Sequence, residues 1–424
     1  MTSLRATSCD PIADFRRRLE EERYSAKSIR AQVHAVRRFL AYLDERGMSL
    51  ADIDAEHVAA YWRERRLAYE RDHGDAAVRL RRWHREGRAA VQRYLRERRG
   101  SVPDRPAPAG SPAALAATIV DDYRRHLLAT RDLATGTLDG RLQEARCFLQ
   151  WCERRALLTG STLACVASDI DAYQRDRAGT VRRTTCSSIS RRLREVLRFL
   201  HGSGRLAMDF SSRVISPRQY RDADVPAILT DAQVKRVLQV TRADRTAKGY
   251  RDFAMLTLLA TYGLRSGELV RLRLDDVDWR QEAIRITHSK TRETTVVPLL
   301  PHVGNALLRY LQHGRSPTAA RQVFVRTRAP YGGLAEHGAL HNVVAGRLHA
   351  AGIDRPTKRG PHLFRHARAV SLLRAKVPVK AIADVLGHRS IRSTAAYLKL
   401  QDDDLRAIAL PLPMLKEVAH GRVA

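Results

Sequence analysis

The C-terminal part of the chain groups side chains that can handle a phosphodiester. His362 and Arg365 lie three residues apart, so on a helix they would share one face. His388 and Tyr397 follow in the same stretch. Arginine holds non-bridging oxygens through two parallel hydrogen bonds, and histidine exchanges a proton near neutral pH. Tyrosine becomes a nucleophile once its proton is removed. Together these residues suit chemistry on a phosphate ester; the alternative is that the histidines and the arginine are solvated surface groups and the tyrosine is half-buried core.

Short helices are expected to position these groups. One helix is predicted over Val379 to Leu386, with Pro378 at its start and Gly387 just past its end. His388 follows that glycine directly, where a side chain can leave the helix and point into a cleft. A further helix carries Tyr397.

The charge of the whole chain agrees with a phosphate-bearing polymer as the partner. Of 424 residues, 76 are Lys or Arg and 46 are Asp or Glu, which gives a formal net charge of +30. The excess runs through the whole length, and DNA or RNA is the leading candidate partner. An arginine-rich coding style would explain a preference for arginine over lysine, but not this excess over acids.

Cysteine usage and hydropathy exclude several classes of protein. The five cysteines are odd in number and form no C-x-x-C pair, which argues against a structural zinc site or a disulfide framework. No apolar run approaches the roughly 20 residues of a membrane span, and no signal-peptide core opens the chain. We therefore expect a soluble protein of a reducing compartment.

The N-terminal half is predicted to contain two similar helical modules, residues 10–99 and 113–207, joined by a Pro/Gly/Ala-rich linker at 100–112. Apolar and aromatic residues of the first module recur in the second, in the same order and 105 to 112 residues later. Duplication of one module explains this pattern better than chance likeness between two arginine-rich amphipathic domains, which stays the alternative. The matched pairs are Phe15 with Tyr123, Phe39 with Phe148, Tyr42 with Trp151, Tyr61 with Tyr173, and Tyr94 with Phe199.

A second linker is predicted at 208–227, followed by a mainly helical domain over 228–410 and a tail at 411–424. A helix over Ile228–Val240 has Thr230 or Asp231 as its cap, and an apolar helix runs from Tyr250 to Tyr262 and ends at Gly263.

One small sheet is expected in this domain. Two β-branched runs, Ile284–Ile286 and Thr295–Leu299, flank a polar turn and predict a hairpin with Lys290 at its tip. A third strand is predicted at Val323–Val325.

The ordered motifs of this domain resemble the tyrosine recombinase (phage integrase) family, which includes Xer-like and Cre-like site-specific recombinases. The matching text is TYGLRSGEL, HSKTRE, HLFRH, LGHRS and TAAYLKL, spread over about 180 residues of this chain. The helical modules resemble the family's DNA-clamping domain more weakly. The implied fold is mainly α and multidomain, with tandem helical SAM-like core-binding modules followed by a mainly helical catalytic domain with a small β-sheet. The catalytic residues that the resemblance implies are Arg265, Lys290, His362, Arg365, His388 and Tyr397.

The resemblance implies a role for each group. Tyr397 would attack a DNA phosphate and form a 3′-phosphotyrosyl link, and the two arginines, Arg265 and Arg365, would hold its non-bridging oxygens. Lys290 would protonate the departing 5′ oxygen. His362 would assist proton transfer at the tyrosine, and His388 would donate a hydrogen bond to the phosphate.

Two supporting residues and the tail leave alternatives open. Glu268 could orient Arg265 or His362, or be a plain surface carboxylate. His366 fits the family's text, where it implies structural support. The acidic and leucine-rich tail after Tyr397 would dock on the next protomer, or pack on its own domain.

The family implies a metal-free reaction without a cofactor. It also implies double-stranded DNA as substrate and assembly as a homotetramer on two sites or with related recombinases, with no membrane contact. We expect a location in the bacterial cytoplasm, in association with the nucleoid. The alternative functions are a transposon-encoded recombinase acting with siblings, a type IB topoisomerase-like enzyme, and a non-catalytic DNA-binding accessory protein.

Overall fold

The structure is a computed structural model. It describes residues 10–73, 77–101, 111–159, 161–181, 183–217, 228–288, 293–334, 338–353 and 360–387. The chain divides into two compact units, Met1–Ala31 with Asp222–Ala424 in the first and Gln32–Arg221 in the second.

The N-terminal helices follow the predicted periodicity. They are α1 (Pro11–Glu21), α2 (Ala26–Asp44), α3 (Ala55–His73) and α4 (Ala77–Arg99). Asp10 caps α1, where its carboxylate accepts a hydrogen bond from the Ile12 N–H at 2.9 Å. The ring of Tyr61 lies edge-on to those of Phe39 and Tyr42, with centroids 5.1 and 5.0 Å away.

The next helices repeat this order. They are α5 (Pro112–Thr130), α6 (Thr135–Arg154), α7 (Ala167–Ala178) and α8 (Arg183–Gly202). Tyr173 of α7 lies edge-on to Phe148 and Trp151 of α6, at 5.1 and 5.6 Å. The same three-ring arrangement thus occurs twice, as duplication of one module predicts.

A small antiparallel pair of strands separates α6 from α7. It consists of β1 (Leu158–Thr159) and β2 (Thr162–Leu163), and the sequence had not predicted it. Its two-residue strands are too short for the period-2 pattern that identifies a strand.

The first unit is built around one buried helix. α10 (Ala247–Tyr262) is buried over most of its length and packs against neighbours on several sides. Those neighbours are α9 (Asp231–Ala243), α12 (Pro301–His313) and α14 (His362–Arg374). Within the described residues from 228 to 387, the further α-helices are α11 (Ser266–Arg271), α13 (Ala339–Ala350) and α15 (Val379–Val385).

The sheet of this unit is antiparallel, in the order β3 (Val277–Asp278), β4 (Ala283–Thr287) and β5 (Thr294–Pro298). Ile284 pairs with Val297, and both side chains join the core. The pairing of the two predicted strands is therefore confirmed, and the predicted tip at Lys290 lies outside the described residues.

Most of the predicted helix signals hold in this part. Thr230 is the cap of α9 and accepts from the Gln233 N–H at 3.2 Å, and α15 begins after Pro378 as expected. The predicted strand at Val323–Val325 is wrong. Its side chains are buried, but its backbone forms only single bridges at Gln322 and Val325. A short apolar run indicates burial, and these three residues are buried without forming a strand, so the run alone could not distinguish the two cases.

Within the parts of the chain that the structure describes, no helix has the length and apolar character needed to cross a membrane.

Candidate active site

Five of the predicted site residues lie within the described residues, and three do not. Lys290, His388 and Tyr397 fall outside them, as does the tail. The described residues of the site are Arg265, Glu268, His362, Arg365 and His366.

A sharp turn at the end of α10 delivers Arg265. Gly263 has a left-handed backbone (φ 65°), and a Cβ there would lie 2.7 Å from Cδ2 of Leu386. Glycine is required at this position both for its conformation and for its closeness to Leu386. The chain then starts α11, with Arg265 as its cap residue.

Glu268 holds Arg265 at two points. One carboxylate oxygen accepts from the backbone N–H of Arg265 at 2.8 Å, and the other accepts from its guanidinium at 2.8 Å. The second terminal nitrogen of Arg265 donates to the carbonyl of Gly387 at 2.7 Å. These contacts fix the plane of a guanidinium that carries five N–H donors.

Glu268 is buried, with 4 % of its surface exposed, so it is not a plain surface carboxylate. Burial alone would raise its pKa. Hydrogen bonds from the backbone N–H of Arg265, from His288 and from the Arg265 guanidinium outweigh burial and hold the pKa of Glu268 below its usual value. The group is therefore a carboxylate at neutral pH.

Arg365 is the second arginine of the site; unlike the half-buried Arg265 it is buried, and it joins two helix ends. It lies on α14 and donates to the carbonyl of Gly263 at 2.8 Å and to that of Leu386 at 2.5 Å. Both carbonyls lie at the C-terminal ends of helices, α10 and α15, where the helix dipole favours a positive charge.

The two arginines thus meet at consecutive backbone carbonyls, Leu386 and Gly387. They lie 100 residues apart in the chain, and the next residue after Gly387 is His388. Three of the motif segments that carry the family resemblance therefore converge. Two guanidiniums held this way can bind one anionic group from adjacent directions.

The two histidines of α14 differ from Arg365 in exposure. His362 lies exposed in the first turn, and His366 is half-buried one turn later. Their ring centroids are 6.0 Å apart. The spacing in sequence put His362 and Arg365 on one face, but it could not tell that one side chain would be exposed and the other buried.

Sequence reasoning missed His288, although it is the first residue of the HSKTRE motif, because only Lys290 of that motif was assigned a role. This histidine is 5 % exposed, and its Nδ1 lies 3.0 Å from Oε1 of Glu268. Its Nε2 lies 2.9 Å from the hydroxyl of Thr295. The sequence held one signal for His288. It lies two residues before Lys290, and residues two apart in a strand point to the same face of the sheet.

Among the described residues, no group of three or more His, Cys, Asp and Glu side chains is placed to hold a metal ion.

Two family models match the chain. The model described as "Phage integrase family" matches residues 227–404, and the one described as "Phage integrase, N-terminal SAM-like domain" matches residues 12–73. The first range contains all the predicted catalytic residues, and the second covers α1 to α3.

Curated relatives and solved structures agree with these models. A putative integrase/recombinase of Sinorhizobium fredii, y4rA, is 31 % identical over 95 % of this chain and 94 % of its own. A second one from that organism, y4gC, is 56 % identical over 45 % of this chain and 97 % of its own. The XerH site-specific recombinase, solved in complex with its difH substrate, is 16 % identical over 71 % of this chain and 97 % of its own, with a TM-score of 0.54. At that identity the likeness concerns the fold.

Proposed function

The chain belongs to the phage integrase family of tyrosine recombinases, and from that membership we propose how it cuts and rejoins DNA. Tyr397 is the nucleophile, Arg265 and Arg365 hold the scissile phosphate, and Lys290 is the general acid. His362 assists proton transfer at the tyrosine.

The reaction is a pair of transesterifications. The phenolic oxygen of Tyr397 forms a bond to phosphorus while the bond from phosphorus to the 5′ oxygen breaks. The tyrosine proton passes to His362, and the 5′ oxygen takes a proton from Lys290. A 5′-hydroxyl from another strand then attacks the 3′-phosphotyrosyl link and releases Tyr397. The covalent link conserves the phosphodiester, so joining needs no ATP.

The observation that supports the role of the two arginines is their convergence on Leu386 and Gly387, directly before His388. Charge on the pentacoordinate phosphate grows in the transition state, and cations already fixed in place stabilise it without reorganisation. The helix-end carbonyls and Glu268 supply that fixation.

We further propose that the second helical module, residues 113–207, clamps DNA opposite the catalytic domain at 228–410. The first module, 10–99, would bind DNA further along the site or a neighbouring protomer. The SAM-like match to residues 12–73 supports a DNA-binding role for that first module. Footprinting the full chain against a chain that begins at Ser111 tests this. A shorter footprint is expected, and an unchanged footprint with unchanged assembly contradicts it.

Assembly follows from the chemistry of strand exchange. Two duplexes present four strands, so we propose a homotetramer on two sites, or an assembly with related recombinases. Deletion of residues 402–424 should weaken assembly on DNA more than binding of a single protomer. Equal loss of both would contradict docking of the tail between protomers.

Such a protein would work in the bacterial cytoplasm at the nucleoid, which a fluorescent fusion would test.

The direct test uses a duplex selected by this protein from a random-sequence pool and nicked near the bound site. The wild-type chain should form an SDS-stable adduct with the DNA, and Tyr397→Phe should bind equally without an adduct. Absence of the adduct from wild type contradicts the proposal. Relaxation of supercoiled plasmids lacking the selected site would indicate a topoisomerase instead.

A further inference from the structure

The buried ring of His288 lies where three segments of the candidate site meet. It follows β4 directly, and its backbone N–H donates to the carbonyl of Glu293 at 2.8 Å, which closes the base of the hairpin. Its ring reaches Glu268 with one nitrogen and Thr295 of β5 with the other. A side chain 5 % exposed does not reach DNA, so any role in the reaction acts through its neighbours.

The chemistry of these contacts fixes the ring in one orientation. Glu268 is ionised because its pKa is lowered, so it only accepts hydrogen bonds. Nδ1 of His288 therefore carries a proton and donates to Glu268. Nε2 lies within hydrogen-bond distance of the Thr295 hydroxyl, which can act as donor or acceptor. The ring is therefore held at both nitrogens, by Glu268 on one side and by Thr295 on the other.

The face of the same ring lies against Gly387. A Cβ added to Gly387 would come within 2.4 Å of Cε1 and 2.7 Å of Nδ1 of His288. The carbonyl of Gly387 is also the acceptor for Arg265. One ring therefore contacts the carboxylate that holds Arg265 and the backbone just before His388, and it belongs to the hairpin that carries Lys290.

We propose that His288 is a positioning residue: it fixes the base of the hairpin against Glu268 and Gly387, and proton donation by Lys290 depends on that fixation. This rests on the proposed function, in which Lys290 protonates the 5′ oxygen. Without the ring, the hairpin loses its hydrogen bond to Glu268 and its contact with Gly387. The arginine clamp keeps its own direct contacts, between Arg265 and Glu268 and between Arg365 and the two helix ends.

The proposal predicts a defect confined to the departure of the 5′ oxygen. A substrate with sulfur at the bridging 5′ position tests this, because a thiol has a pKa near 8.5 and leaves without protonation. With the ordinary oxygen substrate, His288→Ala should lower single-turnover cleavage by about 10²-fold, the cost of misplacing a catalytic group by about 1 Å. With the sulfur substrate, cleavage should return close to the wild-type rate. Lys290→Ala should behave in the same way, and Arg265→Ala should stay defective on both substrates.

Two further variants separate positioning from folding. His288→Asn keeps an N–H where Nδ1 lies and should retain more oxygen-substrate cleavage than His288→Ala. Thr295→Val removes only the hydroxyl that fixes Nε2 and should show a smaller defect, also rescued by sulfur. Thermal unfolding of each full-length variant, and its affinity for the selected duplex, report whether the fold survives.

The outcomes are distinct. Wild-type adduct formation reports on the proposed function, and the oxygen-to-sulfur ratio of the variants reports on His288. Equal losses on both substrates, or no loss on oxygen, would overturn the positioning role while leaving the proposed function intact.

Discussion

Glu268 in the first unit and Glu144 in the second are buried to a similar degree, at 4 % and 2 % exposed. Each contacts one arginine and one side chain that carries a ring. Oε1 of Glu144 accepts from the Tyr173 hydroxyl at 2.5 Å, and Oε2 lies 3.4 Å from the Arg177 guanidinium. The difference lies in what each arginine does next.

The Glu144 cluster stays within one module. Tyr173 and Arg177 both belong to α7, one turn apart, and Glu144 belongs to the neighbouring α6. Arg265 instead donates hydrogen bonds both to Glu268 and to the carbonyl of Gly387, which lies 122 residues after Arg265 in the chain. A buried carboxylate that joins neighbouring helices stabilises a module, whereas one that fixes an arginine against a distant turn arranges a site.

The arginines should give the largest contrast. Arg265→Ala should lower adduct formation by about 10²- to 10³-fold, because it removes the donor that we propose stabilises the transition state. Arg177→Ala is the matched control and should cleave at close to the wild-type rate. Single-turnover cleavage at saturating protein measures both. Similar losses in the two variants would show that the contrast between the clusters is wrong.

The two carboxylate variants should differ less than the arginine variants. One should mainly lower the cleavage rate, and the other should mainly lower the free energy of unfolding. Glu268→Gln should lower cleavage by about 10- to 100-fold, since Glu268 orients Arg265, which we propose holds the phosphate. Glu144→Gln should leave cleavage nearly unchanged and lower the free energy of unfolding by about 1–3 kcal/mol. Cleavage kinetics and urea unfolding of the full chain check this pair. A cleavage defect in Glu144→Gln without loss of stability would contradict it.

These residues also show which features of the site could be predicted from the sequence. Arg265, His362 and Arg365 followed from residue chemistry and motif order, and local signals such as Gly263 and Pro378 placed the helix ends. Periodicity reports which side of a helix is apolar, and that was enough for the helices and the hairpin.

Contacts between distant segments were beyond these signals. Glu268 looked as much like a surface carboxylate as an orienting one, because its burial depends on the hairpin base packing over it. His288 looked like one more polar residue in a turn. The close fit of Gly387 to its ring joins positions 99 residues apart, and no local pattern encodes such a contact.

The two modules allow a third comparison, between Tyr173 and Tyr61. Tyr173→Phe removes a hydrogen bond to a buried carboxylate and should lower the free energy of unfolding by about 1.5 kcal/mol or more. Tyr61 occupies the same place among its rings, but the position equivalent to Glu144, four residues before Phe39, is Ala35. Tyr61→Phe should therefore lower the free energy of unfolding by less than Tyr173→Phe does. Equal costs in urea unfolding would show that the hydroxyl of Tyr173 adds nothing to the ring packing.

The smallest effect should appear in the pH dependence of stability around α11. The pKa of Glu268 is lowered in the folded chain, so its contribution is complete above its usual value of 4.5 and is lost as the pH falls through the folded pKa. The Glu268→Gln variant has no ionisable carboxylate at this position, so its stability does not show this pH dependence.

The stability gap between wild type and Glu268→Gln should therefore narrow as the pH falls from 7 to below 4.5. Asp244, whose pKa is lowered to about 2 by hydrogen bonds from Thr246 and Arg347 against the effect of its burial, is present in both proteins and cancels in the difference. Urea titrations followed by hydrogen exchange in residues 263–272 measure the gap locally. A gap that stays constant with pH would mean that the charge on Glu268 contributes nothing to folding, and that its value lies only in aiming Arg265.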